Sequence, residues 1–404
     1  MSNLAIEISR RIARSQQTPN GLLKGILGIL FRLETRFVTI IYFQRVTILA
    51  LVTISIVVAL DISANIDAVM TTGNQVPGSL GFARIVYYSL LRVCFVAPSV
   101  LLFAGIWGVV WAEYSLATSR ERIMLFNCGR SYMPSLVPAL LVGGIVGLLH
   151  FSISGFVKPA TVEMEAATTH RSYGLKFDGP AQSNTEWIAG IDFIIRARVE
   201  ISQGVGLSDV YLFAYSENGD IEFTIRAVRA RPVPKSDRWT FFEGTVAYFS
   251  ALTDGTNSGR RSLNKTDFET LETELQLSPL WLENFDILPT LLPQTLLNTL
   301  IGQGELVPSL YKYEMAAYER YASILYCIAT VLLSAHLAMT RFRSDMMPYR
   351  ALSVALVGFA AYFFFSVSLM FGHHGYIPVL IAAWSIPLMT ITVFAAVVYT
   401  YVKK

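Results

Sequence analysis

Six apolar runs, each about as long as a bilayer crossing, stand three before and three after a polar stretch, and this leaves the chain few folds to choose from. The runs are Val46–Leu60 with a few further residues at its N-terminal end, Ile85–Trp111, Leu136–Phe156, Ala322–Met339, Ala351–Phe371 and Pro378–Tyr401. About 20 apolar residues in a helix cross a hydrocarbon core of roughly 30 Å. In lipid every backbone polar group must be satisfied within the segment, so such runs read as helices. Composition agrees: of 404 residues 53% are hydrophobic and only 15% charged, against about a quarter charged in soluble domains. A wholly soluble enzyme is excluded.

Orientation follows from the placement of Lys and Arg in the short connections. The N-terminal segment carries Arg10, Arg11, Arg14, Lys24, Arg32 and Arg36, the second connection Arg120, Arg122 and Arg130, the fourth Arg341, Arg343 and Arg350, and the chain ends Lys403-Lys404. The first connection has Arg84, and the fifth only the pair His373-His374. Both termini are therefore expected in the cytoplasm and the polar middle outside, which in a Gram-negative inner membrane is the periplasm. That middle is acidic while the flanks are basic. Arg10, Arg11 and Arg14 followed by Gln16–Pro19 leave no continuous apolar core for a cleavable signal, and Ile6–Arg14 has the basic amphipathic pattern of a segment lying on anionic lipid. The chain thus divides into an N-terminal interfacial segment (1–43), spans one to three (44–156) with a cytoplasmic helix at 112–131, an external β domain (157–276), a helical stalk (277–320) and spans four to six (321–404).

Within the middle, Ile195, Ala197, Val199 and Ile201 alternate with Arg196, Arg198 and Glu200, the period of a strand with one dry face. Tyr211–Tyr215, a turn through Asn218-Gly219 and Ile221–Ile225 read as a hairpin. Trp239–Phe242, a turn at Glu243-Gly244 and Thr245–Phe249 read as another. Short strands joined by turns predict an antiparallel sandwich or open barrel of the jellyroll kind. Pro279, Pro289, Pro293 and Pro308 mark the Leu-rich stalk as short helices. The three cysteines, Cys94, Cys128 and Cys327, lie outside this middle, so it has no disulfide framework.

Catalytic signatures are absent from the sequence: there is no phosphate-binding loop ending Gly-Lys-Ser/Thr, no His-Glu-x-x-His, no Cys-x-x-Cys and no Gly-x-Ser-x-Gly. Five scattered histidines give no metal cluster, and His373-His374 read as solvated. The chain is expected to be non-catalytic, with no metal and no cofactor of its own.

Several residue patterns, taken with the three-plus-three topology, carry a resemblance. In the second connection Glu121 is followed eight residues later by Gly129 and then by Ser131; span three exits through Val157-Lys158-Pro159; an Ala-containing strand Ile225–Ala230 precedes Trp239; and the last span opens Gly375-Tyr-Ile-Pro378 and continues Ala382-Ala383-Trp384-Ser-Ile-Pro387. These patterns resemble the LptF/LptG family, the permease subunits of the ABC transporter that extracts lipopolysaccharide from the inner membrane. The resemblance runs from about residue 40 to 401 and does not choose between the two branches. The chain departs from the family at Arg122 and Phe126-Asn127-Cys128, where members carry Leu, Arg and Ala, and after Arg320, where members carry Pro.

The resemblance implies a cytoplasmic ATPase dimer that binds the ATP, a second LptF/LptG-like permease, a periplasmic bridge protein of the LptC/LptA kind, and lipopolysaccharide or a related glycolipid as cargo; nucleic acid is not among the partners. It gives Glu121, Arg122, Leu125, Phe126 and Gly129 the role of an ATPase-coupling helix, docked through Leu125 and Phe126 with Glu121 at the rim; the alternative is a solvated loop. Arg92, inside span two, either meets a lipid phosphate in the cavity or snorkels to the headgroups. Phe193, Ile195, Val199, Phe213, Trp239 and Phe241 line either an acyl-chain groove or a closed core. Spans one and five are implied as the lateral gate. A membrane-anchored periplasmic lipid-binding scaffold with no ATPase is the competing reading.

Overall fold

The computed structural model describes residues 33–71, 81–129, 131–169, 185–251 apart from 202, 203, 217, 235 and 237, 261–341 and 347–403. Ile6–Arg14, Gln16–Pro19, Lys24, Arg32, Arg130, Arg343 and Lys404, named above, lie outside the described residues. The six spans are α1 (Leu33–Thr71), α2 (Gly81–Thr118), α4 (Val137–Ser152) continued by α5 (Lys158–Thr169), α8 (Leu310–Arg341), α9 (Met347–His373) and α10 (Val379–Lys403), with the short α3 (Glu121–Asn127) after α2. Stalk helices α6 (Pro279–Glu283) and α7 (Gln294–Gly302) precede α8. The helices overrun the apolar runs: α1 has 39 residues, roughly 58 Å at 1.5 Å per residue, so it projects well beyond a bilayer core.

Helix α8 is the hub. Its apolar stretch is 72% buried inside the protein, against 17% for α1 and 18% for α9. Two glycines set one of its contacts. A Cβ on Gly147 of α4 would lie 2.9 Å from the Ile324 carbonyl oxygen, and one on Gly143 would lie 3.0 Å from Ile328 Cα; small residues four apart let backbones meet where lipid supplies no hydrophobic drive between helices. Gly147→Val is expected to cost about 1–3 kcal/mol by overpacking, read as a lower thermal midpoint of the purified chain in detergent. Gly144→Val, where a Cβ meets nothing within 4 Å, serves as the control and should leave the midpoint unchanged.

The polar middle departs from the sequence reading at its start. Lys158–Thr169 is helical and extends span three; the first strand, β1, begins at Glu186. The strands are β1 (Glu186–Ala189), β2 (Phe193–Glu200), β3 (Gly206–Tyr215), β4 (Ile221–Pro232), β5 (Arg238–Ala251) and β6 (Arg261–Glu274), forming one antiparallel sheet in the order β1-β2-β3-β4-β5-β6. The β3–β4 hairpin turns at Gly219, φ +78°. The second expected hairpin is instead one strand: Glu243 and Gly244 are a kink inside β5, with Glu243 at φ +52° and Gly244 pressed so closely on β4 that a Cβ would sit 2.2 Å from the Arg226 carbonyl oxygen. No second sheet faces the first among the described residues. The stalk packs there instead, for Leu277, Trp281, Leu282, Leu292 and Leu297 share one core with Phe193, Ile195, Trp239 and Phe241, and Trp239 Nε1 donates to the Leu277 carbonyl at 3.3 Å.

Candidate functional site

Four places along the molecule hold the residues that the sequence singled out. At the end of the bundle away from the sheet, α2 runs to Thr118, so Ala112–Thr118 belong to the span and the separate helix is only Glu121–Asn127. Arg120, at φ +59°, turns the chain between them. Gly129, at φ +81°, lies past the end of α3, where its N–H donates to the Phe126 carbonyl. Seven residues cannot hold a helix unaided, so the anchoring comes from side chains. Leu125 packs against the cluster formed by α1, α2, α4 and α8. Arg122, 5% exposed, turns inward: its Nε donates to Glu113 Oε2 at 3.0 Å and its Nη2 to Glu113 Oε1 and to the Tyr42 hydroxyl, while Tyr42 donates to Glu113.

The expectation for this helix is thereby redistributed. Arg122 is part of the anchor and not of the outer surface. The exposed apolar side chains are Ile123 and Met124, at 50% and 63%, whereas Leu125 and Phe126 are half-buried and Glu121 is partly exposed. Beside them a cleft of about 350 Å³ opens between α3 and α8, lined by Ala117, Ile123, Phe126 and Met339 among others.

At the opposite end of the bundle, polar groups from five of the six spans come together. Arg92 Nη2 pairs with Asp61 at 2.9 Å and its Nη1 with the fully buried Glu165 at 3.4 Å; Tyr88 also donates to Asp61. Arg92 is therefore paired within the protein with two carboxylates. Its guanidinium and the Lys158 ammonium both contact the Phe95 ring, at 4.7 and 4.5 Å. A neighbouring cleft of about 160 Å³ between α2, α4, α8 and α9 is lined by His150, Ser154, Lys158, Glu319, Arg320 and Ser323. There Arg320 donates to Gln294 and to the Thr290 and Leu292 carbonyls, tying the stalk to α8, His150 meets Ser323 at 2.8 Å, and Glu319 meets His373 at 2.9 Å. Sequence reading named Lys158 only as part of the exit from span three and missed Glu165, Glu319 and Tyr42; for the two glutamates the available signal was charge near the end of an apolar run.

In the β domain the six proposed groove residues do not form one surface. Phe193, Ile195, Val199, Trp239 and Phe241 are each at most 5% exposed and lie in the core. Phe213 projects from the other face, stacked on Trp187 with ring centroids 6.4 Å apart. A cavity of about 770 Å³ does open in this domain, but of the six only Phe193 lines it, alongside Leu212, Phe223, Leu275 and Leu306 and the charged Asp192, Glu222, Arg238 and Glu274.

The last-span motif builds a corner. Gly375, at φ +74°, donates to the Gly372 carbonyl while Tyr376 donates to that of Phe371, the pair of bonds that closes a helix end with a left-handed residue. Pro378 accepts from Ala382 at the start of α10, Trp384 packs beside Tyr326 and Phe365, and Pro387 lies inside α10. Among the described residues no group of three or more His, Cys, Asp or Glu is placed to hold a metal ion.

Comparison with curated proteins found no match. The sequence does match the family described as lipopolysaccharide export system permease LptF/LptG, over residues 36–401. That range takes in the six spans, the inserted sheet, the short helix α3 and the last-span corner, so the chain belongs to the LptF/LptG family.

Proposed function

We propose that this chain is one permease half of an ATP-driven exporter that lifts lipopolysaccharide or a related glycolipid out of the inner membrane and hands it to the external β domain. Both termini lie in the cytoplasm in this reading, as the Lys and Arg distribution directs. The ATPase dimer sits on α3; the observation that carries this is the pair of exposed apolar side chains, Ile123 and Met124, on a short helix whose other face is fastened into the bundle by Leu125 and Arg122. A second permease of the family covers the lipid-exposed sides of α1 and α9, the least buried of the spans. A bridge protein adds a strand to the sheet, whose outermost strands β1 and β6 each pair on one side only among the described strands.

Energetics favour a conduit that stays greasy. Bringing a methylene into water costs about 0.8 kcal/mol, so one twelve-carbon acyl chain costs roughly 10 kcal/mol, and the cargo must pass from membrane to β domain without wetting. The 770 Å³ cavity with Phe193, Leu212 and Phe223 on its wall is the first shelter proposed for such a chain. The test is to purify the chain from its native membrane, identify the polypeptides that accompany it, and measure lipid released from proteoliposomes with and without ATP. An accompanying ABC ATPase and ATP-dependent release are expected; lipid binding with no ATPase would leave the scaffold reading in place.

A further inference from the structure

We infer that Tyr42, Glu113 and Arg122 form a mechanical tie that delivers movement of α3 directly to α1, the span most open to lipid. This rests on the ATPase-driven reading above and adds Tyr42 and Glu113, to which that reading assigns no role. Covalently, α3 hangs from α2 through the turn at Arg120 and has no short connection to α1, which lies earlier in the chain. The polar cluster supplies that connection. Each member comes from a different helix, Tyr42 from α1, Glu113 from α2 and Arg122 from α3, and their exposures are 0%, 1% and 5%.

The three side chains bond to one another, and Arg122 Nη1 is left buried without a hydrogen-bond partner. Arg122 engages both oxygens of Glu113, the two-pronged geometry that fixes direction as well as distance, and the Tyr42 hydroxyl donates to Glu113 while accepting from Arg122 Nη2 at 3.2 Å. A buried pair of this kind is weak evidence for stability and better suited to fixing register between elements. Here the register it fixes is that of α3 against α1. Between Tyr42 and Asp61, α1 meets its neighbours through apolar side chains and through Arg45, whose guanidinium lies 4.6 Å from the Trp111 ring centroid; on the far side Arg92 and Tyr88 hold Asp61. From Tyr42 to Asp61 is 19 residues, roughly 28 Å of helix. A push on α3 thus reaches the inner end of α1 while its outer end is held at a second polar anchor, and the helix tilts instead of sliding. Were Arg122 a leucine, the helix would still dock by its Leu125 face but would move over α1 without carrying it.

Arg122 and Tyr42 are positioning residues, so the test reads coupling and not only assembly. The chain is reconstituted with its permease partner and ATPase in proteoliposomes, and lipid released per ATP hydrolysed is measured for wild type, Tyr42→Phe, Glu113→Arg, Arg122→Glu and the Glu113→Arg/Arg122→Glu double variant. Tyr42→Phe is expected to keep the ATPase bound and its hydrolysis rate intact while lipid per ATP falls roughly fivefold, the scale on which contacting residues interact. The charge swap is expected to recover lipid per ATP relative to either single charge variant. Spin labels at the exposed position Ile48 and at the native Cys128, exposed just past α3, with Cys94 and Cys327 replaced by Ser, should hold one narrow distance through the ATP cycle in wild type and a broad distribution in Tyr42→Phe. A wild-type ratio and narrow distance in Tyr42→Phe would overturn the tie while leaving the exporter reading standing. Loss of the ATPase from Tyr42→Phe would reduce the cluster to docking support and overturn it as well. A wild-type complex that releases no lipid with ATP would overturn both.

Discussion

Replacing Ile123 and Met124 together by Asp is expected to strip the ATPase from the purified complex while the permease itself stays folded in the membrane. Both side chains are exposed, at 50% and 63%, so the folded chain loses no packing when they change. Burying a side chain of this size at an interface contributes about 1.5–3 kcal/mol, and residues central to a docking patch carry most of its affinity. Losing two of them costs about 3–5 kcal/mol, which is roughly a hundredfold or more in Kd. Retention of ATPase during co-purification, followed by titration of the separate ATPase onto the reconstituted permease, measures this. Glu121→Ala and Phe126→Ala should each have a smaller effect, since Glu121 is only partly exposed and Phe126 half-buried. Undiminished ATPase binding in the double Asp variant would move the contact off α3 altogether.

The spans were legible because lipid leaves the backbone no alternative: an apolar run of that length must close its own hydrogen bonds. Their ends were not, because past the hydrocarbon a helix can continue with ordinary polar residues. Lys158–Thr169 shows this. Its Pro159 and its threonines read as an exit into strands, yet the chain makes a π turn over Ile153–Val157 and resumes as helix. A π turn interrupts the regular i−4 ladder, and Pro159, which has no N–H to give to that ladder, falls directly after it while the Lys158 N–H bonds back to the Ile153 carbonyl. The strand period was equally clear in β2, where charged and apolar residues alternate. It was silent in β3: Val210-Tyr211-Leu212-Phe213 is apolar or aromatic throughout, so nothing in it says that Leu212 faces the core and Phe213 the outside.

The cytoplasmic helix was legible as an element and not as a set of contacts. Glu113 and Arg122 are nine residues apart, a spacing that brings no two side chains together along one helix; only the left-handed turn at Arg120 folds α3 back so that they meet. Tyr42 is 71 residues from Glu113, and nothing in a single sequence joins them. The family resemblance named the segment, and the structure puts Arg122 inside and Ile123 and Met124 outside.

Arg92→Ala is expected to lower the stability of the purified chain by about 3 kcal/mol or more, because it takes the guanidinium away from Glu165, which is fully buried, and from Asp61. Removing one member of a buried ion cluster leaves the remaining charge uncompensated, whereas removing the charges together does not. The triple variant Asp61→Asn, Arg92→Gln, Glu165→Gln should therefore recover most of the loss, with the thermal midpoint in detergent as the measure. The same variants separate the two roles first considered for this arginine. If its work is to hold α1 to α2 and α5, the triple variant folds and takes up lipid as the wild type does. A triple variant that folds with a wild-type midpoint and no longer binds lipid would return Arg92 to the cargo path, with Asp61 and Glu165 as the carboxylates that a lipid phosphate displaces.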